Sequence, residues 1–326
     1  MSRRAAFFTL VAALVVVGAP FVGVTELGWE DLRDLSGSSP GGLVLWHIRV
    51  PRVASALLAG AGLAIGGAAF QALFRNPLAT PYTLGVASGA AFGMALGMRL
   101  RPLFAGLEID LGTVSALIGA GLAIGAVWAV ARMRPDFSTS VLLLAGVAMT
   151  FFFSSLILFL QYTTTLGDSF RLVRWLMGGL GSTDWGACLR LLVFVTSGGL
   201  VIGLRARDLD LLTIGDATAA GRGVDVRRVQ RQVFLGTSLM VGGVVSVCGP
   251  IGFVGMMAPH IARLSVGGLH RNLLPAAAIF GGAFLVASDT VARTIIAPVE
   301  LPVGVITAFL GGPFFLWLLV RRTEGR

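Results

Sequence analysis

Apolar residues in this 326-residue chain gather in long blocks parted by short polar breaks. A helix needs about 20 apolar residues to cross a bilayer's hydrocarbon core, fewer where it is re-entrant. On that measure the pattern predicts ten spans: Ala5–Val24, Val53–Phe74, Leu84–Met98, Leu111–Ala131, Val141–Gln161, Trp185–Leu204, Val233–Cys248, Phe253–Val266, Leu273–Ile296 and Val303–Val320. One interval breaks the rhythm. Arg205–Arg231 is long and polar, yet Leu209, Leu211, Leu212, Ile214, Ala219 and Val224 give it apolar surface, and Gly215, Gly221 and Gly223 cut it into short pieces. It reads as two short helices folded into a knob on one side of the membrane. Two roles fit: a surface for a partner protein to push on, or a solvated loop that marks sidedness.

Composition agrees with a membrane assignment. The chain is 56% hydrophobic and 13% charged, about half the charged share of a soluble domain, roughly 25%, and its mean hydropathy is +0.87. No polar interval is long enough to fold alone, so residues 1–326 read as one integral domain. The charged start Met1–Arg4 resembles that of a signal peptide, but the apolar run behind it is longer than a signal core of about 7–15 residues, so it is kept as the first span.

Charge placement sets the orientation. With the first segment inside, sixteen arginines fall on inner segments and nine on outer ones. The positive-inside rule then puts both termini and the knob in the cytoplasm. The basic excess is a topology signal and gives no reason to invoke nucleic acid. All 25 basic residues are Arg. A phosphate-cradling Walker loop needs a lysine, so any ATP that drives this protein is hydrolysed on another chain.

The pattern also repeats faintly. Ala61–Gly67 in the second span resembles Ser238–Gly243 in the seventh, and each precedes a proline break, Asn76-Pro77 and Gly249-Pro250. Five spans separate the two, which inverts the halves, and inverted repeats with short segments in matching places are a transporter signature. Glycines spaced by four at Gly62/Gly66, Gly89/Gly93/Gly97 and Gly121/Gly125 offer faces for close helix packing.

Candidate chemistry is sparse. Asp289 is the one carboxylate inside a predicted span, and its spacing from Arg293 allows a pair on one helix face. His47, His260 and His270 are scattered, and neither they nor Cys188 and Cys248 have metal-ligand spacing. Neither a metal nor a cofactor is expected. Arg49 and Arg52 stand at the outer mouth of the second span. With Arg293 they form either a docking patch for carboxylates, a task suited to Arg, or interface arginines that snorkel. Arg75–Pro81 and Phe137–Ser140 are inner turns that either close a pathway or simply reverse the chain.

Taken in order, certain motifs carry a resemblance that runs from the first span to the end: Ile48-Arg-Val-Pro-Arg52, Arg75-Asn-Pro-Leu-Ala79, Leu143-Leu-Ala-Gly146, Arg174-Trp-Leu-Met-Gly-Gly179, Gly215-Asp216 with Ala219 and Gly223, Gly249-Pro-Ile-Gly-Phe-Val-Gly255, Pro259-His-Ile-Ala-Arg263, Glu300-Leu-Pro-Val-Gly304 and Gly311-Gly-Pro-Phe-Phe315. The chain resembles the permease of bacterial ABC importers for iron-siderophores, haem and cobalamin. The resemblance implies an all-α fold of about ten spans in two inverted five-helix halves, the type II importer permease. It implies a homodimer in the inner membrane, in contact with lipid. Two ATPase subunits would bind below and a periplasmic or lipoprotein substrate-binding protein would dock above. It assigns Gly215, Asp216, Ala219 and Gly223 to ATPase coupling. Arg49, Arg52 and Arg293 fall to binding-protein docking, and Asn76, Leu78, Thr139 and Ser140 to a cytoplasmic gate. No catalytic residue is implied; the chain would be a transport subunit. The substrate stays open: iron chelates are the family's broad use, while Arg174–Gly179 with Asp184-Trp185 resembles the cobalamin branch. An ion-coupled secondary transporter, which needs carboxylates deep in the spans, and an intramembrane enzyme, which needs a clustered site there, are the competing readings.

Overall fold

The computed structural model describes residues 3–25, 27–35, 37–104, 110–133 and 139–323, and all regular structure among them is helical. Thirteen helices follow one another: α1 (Arg3–Gly18), α2 (Pro40–Leu73), α3 (Val86–Leu100), α4 (Leu111–Arg132), α5 (Thr139–Tyr162), α6 (Leu166–Leu176), α7 (Trp185–Leu204), α8 (Ala206–Ile214), α9 (Asp216–Gly221), α10 (Val226–Cys248), α11 (Val254–Val266), α12 (His270–Thr294) and α13 (Val303–Thr323). Ten of them coincide with the ten predicted spans. Six of these, α2, α4, α5, α7, α10 and α12, are long and apolar enough by themselves to cross a membrane.

Two boundaries and one additional helix correct the sequence reading. The second span does not begin at Val53; its helix starts at Pro40, capped by the Ser39 hydroxyl, which accepts from the Gly42 N–H at 2.9 Å, and passes through a widened turn at Val44–Arg49. The seventh helix begins at Val226, inside the stretch assigned to the knob, because Asp225 caps it there through the Arg228 N–H. The amphipathic helix α6, capped by Thr165 and buried only at Leu172, was not among the predicted elements.

The two helices singled out by the repeat form the core. Most of the apolar window of α2 is buried and the same share of α10, 72% each, against 22% for α5 on the periphery. Small residues make this possible. A Cβ on Gly60 would overlap the Gly281 carbonyl of α12, one on Gly67 the Gly255 carbonyl of α11, and one on Gly62 the Val195 side chain of α7. Each face of α2 thus accepts a different helix at backbone distance. Gly89 and Gly93 serve α4 in the same way, whereas Gly121 and Gly125 have nothing within 4 Å among the described residues of this chain. Toward the inner end Phe70 stacks on Phe234 at 5.9 Å, and Trp128 joins them at 5.3 Å, locking α2, α10 and α4.

The breaks after α2 and α10 share a backbone signature. Each helix exits near a residue with positive φ, Arg75 (48°) and Gly249 (69°), and each short helix that follows enters through another, Gly85 (77°) and Phe253 (66°). Positive φ is uncommon for residues such as Arg and Phe, so the match is a structural repeat where the sequence shows only two short similarities. The breaks also meet: the Tyr82 hydroxyl accepts the Ile251 N–H at 2.9 Å. α11, at 13 residues, is about 20 Å long, shorter than the roughly 30 Å of hydrocarbon, and begins inside the bundle.

Candidate functional site

Polar side chains collect at the two ends of α2. At its N-terminal side, the end predicted to lie outside, Arg52 is buried and spans two carboxylates. Its Nε and Nη2 donate to Asp289 at 2.9–3.2 Å, and its Nη1 donates to Glu300 at 2.8 Å. Asp289 is as buried as Arg52, while the Glu300 side chain is 45% exposed. Arg49 donates to the carbonyls of Pro20 (3.1 Å) and Thr25 (2.7 Å). Arg293 donates to the Ala19 carbonyl and to the Thr290 hydroxyl. Together Arg49 and Arg293 hold the chain that follows α1.

This arrangement corrects two expectations. Asp289 is bound by Arg52 from α2 rather than by Arg293 one turn along its own helix. The three arginines are also no open patch at the mouth of a span: 5% of Arg49 and 6% each of Arg52 and Arg293 is exposed, and all are engaged within the chain. Burying a guanidinium without partners is prohibitive, so the helix that begins at Pro40 carries Arg49 and Arg52 to carbonyls and carboxylates.

At the opposite end, predicted to lie in the cytoplasm, stands the knob. α8 packs against α2 and α12, with Leu209 and Leu212 fully buried beneath it. Gly215 (φ 146°) turns the chain into α9, and Gly223 (φ 85°) turns it out again; both conformations favour a residue without Cβ. Ala219 is wholly buried and its carbonyl accepts from the N–H groups of Arg222 and Val224. It closes the knob from within, while Ile214, Ala217, Thr218, Ala220 and Gly221 face outward. Asp216 reaches Arg75 at 3.5 Å, both side chains being more than two-fifths exposed.

A second contact on the knob was not anticipated. Asp210 of α8 accepts from the backbone N–H of His270 at 2.8 Å, and its Oδ1 lies 2.6 Å from the His270 Nδ1. His270, one of the three scattered histidines, is the first residue of α12 and is buried. The only local hint was a carboxylate inside the apolar run Leu209-Asp-Leu-Leu212.

Asn76 caps its own turn, its Oδ1 accepting from the Leu78 N–H at 2.9 Å, and Leu78 is exposed. Thr139 and Ser140 open α5, with Ser140 exposed, while Phe137 and Ser138 lie outside the described residues. α5 packs on the Pro81–Leu84 turn, so the two stretches belong to adjoining elements. His47 is exposed, and His260 packs edge-on against Phe314. Cys188 and Cys248 are free thiols.

Residues 9–321 match the model of the FecCD transport family. The chain is 36% identical to the hemin transport system permease protein HmuU of Yersinia pestis, over 98% of this chain and 96% of that one. It is 39% identical to the vitamin B12 import system permease protein BtuC of Klebsiella pneumoniae, over 89% and 86% of the two chains. Among solved structures, one described as a metal-chelate type ABC transporter in an inward-facing conformation superposes with a TM-score of 0.86 at 28% identity, covering 98% of this chain and all of that one.

Proposed function

The chain belongs to the FecCD transport family, and from that premise we infer that it is the membrane-spanning permease of an ATP-driven importer carrying an iron chelate, haem or cobalamin inward. Near full-length similarity to a hemin permease and a vitamin B12 permease carries this reading. The competing secondary transporter needs a membrane-depth carboxylate free to take up and release a cation. Asp289, the only carboxylate within a predicted span, is held by Arg52.

In the proposed assembly the chain is one integral domain of the inner membrane with both termini cytoplasmic. Two copies flank a shared pathway. Two ATPase subunits, where all hydrolysis occurs, receive the segment 205–231. The knob suits a groove: its outward face is made of small residues around Ile214, and Gly215, Asp216, Ala219 and Gly223 set its shape. A substrate-binding protein docks outside at Arg49, Arg52 and Arg293. Because these arginines already have partners, docking there proceeds by exchange, with an incoming carboxylate displacing Glu300, the exposed one of the two on Arg52. Asn76, Leu78, Thr139 and Ser140 form the cytoplasmic gate. When ATP draws the ATPase subunits together, the knob moves and the halves rock, opening the pathway to one side at a time.

The test is uptake into proteoliposomes holding the permease, its ATPase and the cognate binding protein, with a ferric siderophore, haem and cobalamin each offered as labelled substrate. ATP-dependent accumulation of one of the three is expected. Accumulation driven by an ion gradient without the ATPase would overturn the reading.

A further inference from the structure

Two polar contacts tie the knob to the bundle, and they differ in quality. The Arg75–Asp216 pair is long and exposed, and pairs of that kind contribute little. The Asp210–His270 contact is short, made twice from one carboxylate, and closed over by a buried ring. A carboxylate only accepts, so Nδ1 carries the proton and the contact fixes the ring as well as the backbone. A displacement of α8 therefore reaches the start of α12 more faithfully than it reaches the end of α2.

α12 continues for 25 residues. From His270 to Asp289 it covers about 28 Å at 1.5 Å per residue. Partway along, Gly281 and Gly282 lie against Gly60, Ala64 and Leu57 of α2, so closely that neither has room for a side chain of its own. That contact is a pivot. Beyond it Asp289 holds Arg52, and Arg293 holds the chain after α1. The inner arm also has room to move. A cavity of about 640 Å³ lies between α1, the end of α11 and the first turns of α12, walled by Phe8, Val266, Arg271, Pro275, Ile279 and Phe280.

We infer that Asp210 and His270 form a second coupling contact, through which α12 carries displacement of the knob to the outer arginine cluster. Both are positioning residues. The inference rests on the importer reading and deepens it: the cytoplasmic ATPase and the outer docking face would be joined along one helix.

The experiment uses the complete complex of permease, ATPase and binding protein in proteoliposomes. It compares wild type, Asp210→Ala, the volume-preserving Asp210→Asn and, as a control, Arg75→Ala. Three quantities are read: ATPase retained on the permease, substrate imported per ATP hydrolysed, and hydrogen exchange over residues 289–301 when the ATPase is trapped with ATP and vanadate. Asp210→Ala is expected to keep its ATPase but lose about tenfold in import per ATP, the scale of a coupling energy near 1.4 kcal/mol. Asp210→Asn, which still accepts from the His270 N–H, is expected to lose about threefold. In both, the trapped state should leave exchange at 289–301 unchanged, where wild type responds; Arg75→Ala should behave as wild type. Import per ATP within twofold of wild type in both Asp210 variants, or an intact exchange response, overturns the inference. Should Asp210→Ala fail to fold, Asp210→Asn decides. A wild-type complex that retains no ATPase or imports nothing overturns the importer reading itself, a separate outcome.

Discussion

Outside, Arg49, Arg52 and Arg293 each keep no more than 6% of their surface exposed, and carbonyls or carboxylates of the same chain hold all three. Inside, five of the six arginines in 205–231, Arg207, Arg222, Arg227, Arg228 and Arg231, are exposed. One residue type thus does two jobs, and desolvation separates them. A guanidinium taken out of water must be matched inside the protein, so the outer arginines act as bolts between α1, α2 and α12. An arginine left in water needs no such match, so the knob keeps a surface of small residues that another chain can cover. The outer end is where this fold is fastened, and the inner end is where it is handled.

Asp289→Ala is the strongest attempt to break that contrast. It leaves Arg52 buried with Glu300 alone, and removing one partner of a buried pair costs about 3–5 kcal/mol. Thermal unfolding of the solubilised permease should fall sharply, and Arg52→Met with Asp289→Leu should restore much of the loss; an unshifted transition would mean that the cluster is no bolt. Next in size, Asp216→Arg with Ala217→Trp should leave unfolding within about 0.5 kcal/mol, as exposed changes do. The same pair of changes should reduce ATPase co-purification about tenfold or more, the effect of blocking an interface centre. Equal co-purification would show that the knob marks sidedness only. Glu300→Gln keeps the shape of the outer cluster but removes its exposed charge. Its stability cost should stay near or below 1 kcal/mol, with binding-protein affinity rising if exchange at Arg52 is how docking works. Smallest is Arg75→Ala, expected to cost about 0–1 kcal/mol; a larger drop would make the inner end fastened too.

The spans were legible because a bilayer demands apolar helices, and the fold relaxes their length only where they are buried in the bundle, as at α11. The misplaced starts of α2 and α10 have different causes: α10 continues into the polar run Val226–Gln232, where hydropathy falls silent and the Asp225 cap decides, whereas α2 runs on through Arg49, Pro51 and Arg52, which interrupt its apolar block, to the cap at Ser39. The polar partnerships were far less legible. Arg293 stood at the ideal spacing from Asp289, yet Arg52, 237 residues away, took it. Spacing along one helix predicts which residues are able to meet, while packing chooses among all that come near. Asp210 and His270 lie 60 residues apart with no periodic signal to join them. The coupling and gate positions rested on resemblance from the start. Gly215 and Gly223 are intelligible once their backbone angles are known, because those angles suit glycine.

The hydrogen bond between Tyr82 and Ile251 also bears on how the protein is made. The two groups are 169 residues apart, so during synthesis the first half enters the membrane long before its partner exists. Until then the break after α2 has α5 to pack on but no second break to meet, and the Tyr82 hydroxyl lacks this partner. Insertion of the early spans is therefore provisional. The N-terminal half completes its own interior only when α10 and α11 arrive, so a chain cut short before residue 251 leaves the packing faces of α2 uncovered.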